Sequence, residues 1–474
     1  MSQTNMPPVP EVIAPRCEDR TAPITQTNQI SSHPMSATVK SPPKIGLLDH
    51  VGYGNMGDDA TLAAVMHNIR CRWPQALIVG LTLNPHDTQK RHGITSYPIR
   101  RDCKLPPPPP PSKCGRASFE DRIKAKLSNY PILKLVLRAV KAVTLRAPRA
   151  IVQELLFLAE SIRVVRSLDL LIVSGGGQLR DAWKGPWKFP YTLFKWVVLA
   201  KLSGARCYFI NVGAGPLKTR PGRFFIKQAL RLADYVSFRD KRSEQLIRGI
   251  GFTKSSRVHA DCVYALPIPA NGEARHTPAS QGSLIGISPI LFYWNNDPRS
   301  YTYLIHELGR FSTKLARAQY RLQFFATDIW SDYEAVTDLH AEMIKEFAAW
   351  ETPRVAYPHI DGINDLLRQM SSMDYIVTCR FHGLIFAHLL NIPVLAISHH
   401  PKMATLMNDL GLSEYWVDIR KFDSDLLADT FARLVENRVE IKTRMAEKAA
   451  CFRRELKIQF DQLFPQNAAA EAKK

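Results

Sequence analysis

The chain has 474 residues, of which 45% are hydrophobic, so it is long enough for two or three domains with a sizeable core. Its formal net charge of +20 predicts anionic partners: an acidic substrate, acidic lipids or nucleic acid. No uninterrupted apolar stretch reaches the roughly 20 residues of a spanning helix, and the eight cysteines include no C-x-x-C pair. These features argue against a transmembrane protein and a zinc scaffold, and they predict a cytoplasmic protein.

The first part of the chain is irregular before a folded region begins. Residues 1–43 are rich in Pro, Ser and Thr and lack both periodicity and a signal-peptide core, which predicts a disordered tail. A strand (KIGLLDH, 44–50), a glycine-rich turn and an amphipathic helix follow. The run LPPPPPPSK (105–113) cannot continue a helix or a central strand. It falls within a predicted basic helical insertion over about residues 103–165.

This insertion has two interpretations. Between Lys113 and Arg149, ten Lys and Arg residues stand against two acidic ones, with apolar residues at helical spacing among them. Such a helix can pack on its own domain like an ordinary surface helix. It can also lie on an acidic membrane face, in which case residues 113–149 would attach the protein to the inner face of the membrane.

Alternating strand and helix patterns run through the rest of the chain, with a Pro-, Gly-, Ser- and Asn-rich linker at 267–282. The predicted fold class is α/β, with two Rossmann-like, doubly wound domains facing a cleft. The predicted domains are residues 44–266 and 280–440, followed by a C-terminal helix and tail over 441–474. One long helix is predicted from about Asp423 to Leu463.

The segment GYGNMGDDA (52–60) follows the first strand. One interpretation is a tight turn with an acidic helix cap. The other is a site for a neutral, hydroxyl-rich acceptor, where glycines allow close backbone approach and a carboxylate accepts a proton. The second interpretation predicts acceptor-binding residues and catalytic carboxylates, which are Gly54, Asn55 and Gly57, and Asp58 and Asp59.

Two further strands end in glycines, within SGGGQL (174–179) and NVGAGPL (211–217). Ligands bind at this end of the strands in open α/β sheets, so the loops predict a ligand-lined rim, although each is also typical of simple turns. The first loop supplies three candidate acceptor-binding residues, Gly175, Gly176 and Gly177.

Arg239, in SFRDK, stands at another strand end before a helix. It can form an ordinary ion pair with Asp240 or a neighbour. It can also supply a guanidinium fork for an anion.

The segment DYIVTCRFHGLIFAHLLNIPVLAIS (374–398) predicts a buried strand, a basic turn, a short helix and a second buried strand. Arg380 and His382 stand at the first strand's carboxyl end, and Lys402 follows the second strand in SHHPKM. An Arg fork and a helix N-terminus both favour phosphate or carboxylate, and His is the natural acid/base near neutral pH. The turn therefore predicts a small, doubly charged substrate. No carboxylate or Cys shares the spacing of the histidines, so no metal site is predicted.

Taken in order, GNMGDDA, SGGGQL, SFRD, CRFHG and PKM-x-x-LMNDLGL resemble the motifs of the polysaccharide pyruvyl transferase family, over about residues 44–440. The resemblance implies a fold like the GT-B glycosyltransferases. It implies transfer of the pyruvyl group of phosphoenolpyruvate onto two hydroxyls of a sugar, giving a cyclic ketal and phosphate. Phosphoenolpyruvate is then the donor substrate and no cofactor is implied. The acceptor would be a precursor of a surface polysaccharide or exopolysaccharide, carried on a lipid.

The family's phosphoenolpyruvate-binding motifs map onto Arg239, Arg380, Phe381 and His382, and Lys402 would add a further cation. On this basis His382 is the candidate acid/base for the donor, while Asp58 or Asp59 would act on the acceptor. The long basic insertion departs from the family pattern, and SHHPK replaces a turn that more usually contains tyrosine.

Two other functions stay open on sequence grounds. The first is a nucleotide-sugar glycosyltransferase of the same architecture, although no acidic residue is plainly placed for a ribose near CRFHG. The second is a basic membrane- or nucleic-acid-binding protein. Much of the basic excess lies in 113–149 rather than on aromatic-interleaved strands, which disfavours nucleic acid as a partner.

Overall fold

The computed structural model describes residues 42–101, 103, 147–181, 185–268, 282–294, 297–345, 347, 355–356 and 358–465. The predicted tail up to residue 41, the polyproline run and nearly all of the basic segment 113–149 lie outside these residues. None of the described helices has the length and apolar character needed to cross a membrane.

Within the residues that the structure describes, the first half of the chain builds a seven-stranded sheet in which every pairing is parallel. Its strands, in chain order, are β1 (Lys44–Leu48), β2 (Leu77–Thr82), β3 (Ser96–Pro98), β4 (Leu170–Ser174), β5 (Arg206–Val212), β6 (Tyr235–Phe238) and β7 (Arg257–Val258). Their spatial order is β3-β2-β1-β4-β5-β6-β7. The strand order therefore reverses between β1 and β4, which is the doubly wound pattern that the sequence predicts.

Helices alternate with these strands. They are α1 (Met56–Arg72), α2 (Pro85–His92), α3 (Ala147–Val165), α4 (Phe189–Leu202), α5 (Arg220–Leu232) and α6 (Lys241–Gly249). The described end of the basic insertion is helical, as predicted, since it forms α3. Several helices begin at a side-chain cap, for example Thr219 at α5 and Asp240 at α6.

The described residues of the second half form a six-stranded sheet, which is also parallel throughout and also doubly wound. Its strands are β8 (Leu284–Ser288), β9 (Arg321–Phe324), β10 (Val355–Ala356), β11 (Tyr375–Thr378), β12 (Val394–Ser398) and β13 (Trp416–Asp418). The order is β10-β9-β8-β11-β12-β13, so the reversal lies between β8 and β11. β11 and β12 are buried along their whole length because helices cover both faces of such sheets.

The helices of this half are α7 (Pro298–Arg317), α8 (Tyr333–Ile344), α9 (Ile363–Ser371), α10 (Phe381–Leu389), α11 (Pro401–Asp409), α12 (Ser424–Glu436) and α13 (Arg438–Leu463). The prediction of one helix from Asp423 to Leu463 is wrong, because the chain breaks at Asn437. The Asn437 side-chain Nδ2 donates to the Tyr415 hydroxyl at 3.1 Å and to the Arg433 carbonyl at 3.0 Å. These bonds tie the junction to its surroundings at the point where α12 ends.

The residue contacts divide the chain into two compact units. The N-unit holds the described residues up to Tyr53 together with Pro74–Asp261, and the C-unit holds Gly54–Trp73 and the chain from Cys262 onward. α1 therefore groups with the C-unit, although it lies inside the predicted first domain. It packs on α9, α10 and α13, and its Arg72 is bonded to Asp461 at 2.9 Å. The predicted domain boundaries themselves stay a prediction.

One buried histidine in the C-unit gives the fold a testable pH dependence. His388 accepts a hydrogen bond from the Tyr264 hydroxyl and donates one to the Met445 carbonyl, at 2.7 and 2.8 Å. Burial lowers the pKa of His388 to about 4 from 6.5. Because the folded-state pKa is the lower one, the stabilisation is complete above pH 6.5 and is lost as the pH falls towards 4.

The difference between the two pKa values corresponds to about 3 kcal/mol. We expect the urea midpoint of the wild type to fall steeply between pH 6.5 and 4, and His388→Gln to show a flatter dependence. His86→Gln changes an exposed histidine on α2 and should keep the wild-type slope. Equal slopes for the wild type and His388→Gln would contradict the buried neutral state of this imidazole.

Candidate active site

Arg380 lies between β11 and α10 in the C-unit, where the sequence predicts it. Its Nε donates to Asp332 Oδ2 at 2.6 Å, and its Nη2 donates to Asp332 Oδ1 at 2.5 Å. Nη2 also donates to Ser331 Oγ at 3.0 Å and lies 3.7 Å from an Asp328 oxygen. The Asp332 side chain is fully buried, whereas that of Arg380 keeps 23% exposure. The Asp332 carboxylate, which belongs to the same unit, thus binds the Nε and Nη2 edge of the guanidinium.

This ion pair decides which edge of the guanidinium a ligand can reach. Within the described part of the chain, no hydrogen bond from Nη1 of Arg380 is formed. Burial disfavours the charged guanidinium, but the bonds to Asp332 outweigh it and raise the pKa of Arg380 above its ordinary value. Arg380 is therefore a permanently charged donor with one edge available for an oxygen of a phosphate or carboxylate.

His382, in the first turn of α10, lies directly against the first turn of α1. A Cβ atom added at Gly57 would sit 1.8 Å from His382 Nδ1 and 2.0 Å from its Cγ. Only glycine leaves room for the imidazole there. The two motifs GNMGDDA and CRFHG, far apart in the sequence, therefore meet at this contact within one unit.

The residues before α1 are held against the loop that carries Asp328. Asn55 forms an antiparallel bridge with Asp328, the Met56 amide donates to the Thr327 carbonyl at 2.9 Å, and the Ile329 amide donates to the Gly54 carbonyl at 2.9 Å. Gly54 has a φ of +74°, which favours glycine. Backbone hydrogen bonds thus join the segment before α1 to the loop that carries Asp328 and Asp332, the two carboxylates next to Arg380.

Asn55, Asp58 and Asp59 occupy the start of α1. The Asn55 side chain caps the helix by accepting from the amides of Gly57 and Asp58, at 3.0 and 3.4 Å. Asp58 and Asp59 are buried in the first turn, where negative charge is favoured by the helix dipole. The turn-and-cap interpretation of this segment is therefore correct, with Asn55 rather than an Asp as the cap.

The segment after β12 lies against the CRFHG turn and contains His399, His400 and Lys402. The Lys402 ammonium lies over the Phe381 ring, 4.6 Å from its centroid. His400 caps α11 by accepting from the Lys402 amide at 3.3 Å. His399 donates through Nδ1 to the Cys379 carbonyl at 2.8 Å, and burial, with the charges of Lys402 and Arg380, lowers its pKa to about 3. His399 is therefore neutral near pH 7, and its unprotonated Nε2 can only accept a hydrogen bond.

Arg239 lies at the corresponding position of the N-unit, directly after β6. Its side chain is only 6% exposed and its Nη1 lies 3.3 Å from Asp261 Oδ2, with Asp240 at 3.5 Å from Nε. A Cβ atom at Gly213 would approach its Nε to 2.4 Å. Arg239 thus forms the ion pairs that one interpretation of the sequence predicts, with Asp240 and Asp261. The absence of a side chain at Gly213 leaves space for its guanidinium.

The triple glycine follows β4 in the same N-unit. Gly175 and Gly176 have φ values of +33° and +63°, and the Gly176 carbonyl accepts from the Gly213 amide at 2.6 Å. A Cβ atom added at Gly177 would meet no atom within 4 Å. The first two glycines therefore shape the turn, and the third leaves open space beside it.

A buried polar cluster lies at the strand-order reversal of the N-unit. Asp49, just after β1, accepts from Ser174 Oγ at 2.6 Å and from Gln178 Nε2 at 2.7 Å. His50 borders a small crevice there with Gly177 and Arg180. We did not single out these residues from the sequence, although Asp49 and His50 directly follow a strand, which is the usual signal for such positions.

The structure thus sorts the predicted site residues into two sets. The C-unit brings together Gly54, Asn55, Gly57, Asp58, Asp59, Arg380, Phe381, His382 and Lys402. The N-unit holds Arg239, Gly175, Gly176 and Gly177. Asp328 and Asp332 were missed, although both follow β9 in FATDIWSDY. In the described part of the chain, no three His, Cys, Asp or Glu side chains are grouped as a metal site.

The family model for polysaccharide pyruvyl transferases matches residues 55–401, which include the contact between Gly57 and His382 and the whole CRFHG turn. The chain belongs to the polysaccharide pyruvyl transferase family. It is accordingly a transferase. No curated protein matches this pyruvyl transferase family member.

Solved structures show the fold of this transferase at low sequence identity. A protein from Listeria monocytogenes, assigned as a UDP-N-acetylglucosamine 2-epimerase, is 10% identical with a TM-score of 0.50, over 86% of this chain and 91% of that one. The UDP-GlcNAc 2-epimerase from Methanocaldococcus jannaschii is 11% identical, with a TM-score of 0.49 over 83% and 92%. The predicted class of two Rossmann-like domains of the GT-B type is confirmed.

Proposed function

We propose that this transferase moves the pyruvyl group of phosphoenolpyruvate onto two hydroxyls of one sugar in a lipid-linked precursor of a surface polysaccharide or exopolysaccharide. The observation that supports the proposal best is the Arg380 fork. Asp332 holds one edge of it and the other edge is available. Phe381 and His382 follow in the first turn of α10, and Lys402, from the start of α11, lies over the Phe381 ring. Such a turn suits a ligand with both a phosphate and a carboxylate group.

The reaction balances without an oxidant or a cofactor. One sugar oxygen bonds to C2 of phosphoenolpyruvate as C3 takes up a proton and becomes a methyl group. The second sugar oxygen then displaces phosphate from C2, closing the ketal. Of the two hydroxyl protons, one is balanced by the proton gained at C3 and the other leaves with phosphate. C2 carries positive charge on the way, which fixed negative groups would stabilise.

The roles proposed for individual residues follow from their chemistry. Arg380 and Lys402 would offset the charge of phosphoenolpyruvate. Arg239, on the N-unit, stays a proposed phosphoenolpyruvate-binding residue on the basis of the family motif alone. His382 would deliver the proton to C3, and Asp58 or Asp59 would accept a proton from the acceptor. The neutral His399 could accept a hydrogen bond from a protonated ligand oxygen or a hydroxyl.

The acceptor side is proposed on weaker structural support. The glycines Gly175, Gly176 and Gly177 would border the sugar on the N-unit, beside the open space at Gly177. Gly54, Asn55 and Gly57 also stay proposed acceptor-binding residues. In the structure, Asn55 caps α1 and Gly57 lies against His382. We propose no metal or other cofactor, and a cytoplasmic location on the inner face of the membrane.

The donor can be tested with purified full-length protein. Phosphate release from phosphoenolpyruvate, measured across candidate lipid-linked oligosaccharides, should exceed nucleotide release from a panel of nucleotide sugars with the same acceptors. Nucleotide release without phosphate release would support a glycosyltransferase instead and would overturn the proposal.

Lys402 offers a graded test of the anion site. Lys402→Met keeps an apolar stem over Phe381 but removes the charge, so the fold should be preserved. Loss of a charge-assisted contact predicts roughly a 10- to 100-fold lower kcat/KM for phosphoenolpyruvate. The matched control is Lys421→Met, an exposed lysine beyond β13, which should behave like the wild type. Equal kcat/KM values for both variants would remove Lys402 from the site.

A further inference from the structure

The N-unit contains a long stretch of chain without any acidic residue. From Ala182 to Ala233 the sequence has ten Lys and Arg residues and no Asp or Glu. This stretch includes α4, β5 and α5, so the basic excess is not confined to residues 113–149. Two of its lysines pair with acids from outside the stretch, Lys195 with Glu154 and Lys201 with Asp234. Other cations, such as Lys218, Arg220 and Arg223, are exposed and attract anionic partners.

Two large aromatic side chains are exposed within this acid-free stretch. Trp187, just before α4, is 66% exposed, and Phe224, in the first turn of α5, is 50% exposed. Both rings contact Phe225, with centroids 5.1 Å and 5.7 Å away. Tyr191 and Phe194 pack on the same Phe225 ring, at 5.5 and 5.6 Å. The exposed rings are thus the outer members of one rigid aromatic cluster.

Cationic residues stand close to these two aromatic residues along the chain. Lys218, Arg220 and Arg223 are exposed at the start of α5, and Arg220, Arg223 and Phe224 share one helix face because they stand three and four positions apart. Lys188 adjoins Trp187 in the sequence. We call this set the docking face, made up of Trp187, Lys188, Lys218, Arg220, Arg223 and Phe224.

Exposed aliphatic residues also lie on a neighbouring helix. Val152, Leu155 and Leu156 on α3 are 54%, 59% and 67% exposed. α3 lies beside α4, since the Lys195 ammonium is 3.3 Å from Glu154 and 4.5 Å from the centroid of the Phe157 ring. Aromatic and aliphatic groups thus protrude from adjacent helices of one layer.

We propose that the docking face binds the surface of an acidic lipid bilayer. Tryptophan and other apolar side chains ringed by Lys and Arg are typical of proteins that lie in the membrane interface. Binding of nucleic acid is less favoured by this arrangement, because base stacking needs separated aromatic faces, whereas Trp187 and Phe224 both pack edge to face on Phe225. The face does not depend on the donor chemistry, so vesicle binding and pyruvyl transfer can be measured separately.

Vesicle flotation of the full chain tests the proposal. We expect binding to phosphatidylcholine vesicles that contain 30% phosphatidylglycerol, weak binding to pure phosphatidylcholine, and release by 0.5 M NaCl. Trp187→Ala combined with Phe224→Ala should weaken partition of the protein onto the vesicles by about tenfold or more, because the two aromatic side chains that would be buried in the bilayer are removed. Lys218→Gln and Arg220→Gln should each weaken it roughly fivefold. The matched control, Val439→Ala with Ile458→Ala, changes exposed apolar residues on α13 and should bind normally.

Two further results discriminate the alternatives. Trp187→Phe should keep vesicle binding but lose part of the fluorescence quenching by brominated lipid that the wild type shows. The Trp187→Ala, Phe224→Ala variant should keep phosphate release with a soluble acceptor, which shows that it is folded. Unchanged flotation of that variant would overturn the docking face, and so would loss of all binding on deleting residues 104–146 while the docking face is intact.

Discussion

Replacing Gly57 by Ala is expected to slow pyruvyl transfer severely while the chain stays folded. Gly57 lies inside the first turn of α1, where Ala is intrinsically better than Gly by about 0.5–1 kcal/mol. The added Cβ atom would lie 1.8 Å from His382 Nδ1, so the imidazole must move. The loss should match that of His382→Ala, about 10²–10⁴-fold in turnover with phosphoenolpyruvate.

The double variant makes this prediction specific. If Gly57→Ala acts through His382, adding His382→Ala should cause little further loss, because the two changes remove one function. Gly249→Ala is the matched control: a Cβ atom added at this helical glycine on α6 would meet no atom within 4 Å, and the variant should keep wild-type turnover. Near-normal turnover of Gly57→Ala, or full additivity with His382→Ala, would show that this contact does not position the histidine.

Replacing Arg380 by Ala is expected to damage both the fold and the activity. Asp332 is fully buried, and removing its partner leaves an uncompensated charge, which typically costs about 3–5 kcal/mol. An inactive Arg380→Ala protein would therefore not identify a binding residue on its own. The variant that also carries Asp332→Ala removes both charges and should recover much of the free energy of unfolding.

Activity should not recover with stability in that double variant. If the free edge of Arg380 holds phosphoenolpyruvate, kcat/KM should stay at least about 100-fold below the wild type, as expected for a lost charged hydrogen bond in a closed site. Arg368→Ala, which breaks an exposed pair with Asp365 in the same unit, should cost less than about 1 kcal/mol. A stable, fully active double variant would leave Arg380 as a purely structural residue.

The sequence was sufficient for the alternation of strands and helices and for the position of Arg380 and His382 at a strand end. Those features depend on local apolar patterns and on the rule that parallel strands present their carboxyl ends to ligands. The pairing of Arg380 with Asp332 could not be predicted, because 48 residues separate them and several carboxylates follow strand ends. Side-chain pairing across a sheet edge depends on packing, which one sequence does not reveal.

Gly57 shows the same limit in a different form. The glycine-rich pattern correctly indicates a close approach, and the sequence interpretation assigned that approach to a ligand. In the structure the closest group is His382 of the same unit. The break at Asn437 was missed because the apolar pattern continues across it, and the Asn437 side chain there bonds to the distant Tyr415.

The most direct test follows the donor carbon into the product. With phosphoenolpyruvate labelled with ¹³C at C2 and a lipid-linked sugar acceptor, we expect the label to appear as a quaternary ketal carbon on the sugar, with one phosphate released per ketal. His382→Ala and Gly57→Ala should both suppress that signal. Label recovered as free pyruvate, or phosphate released without any ketal carbon, would contradict pyruvyl transfer by this chain.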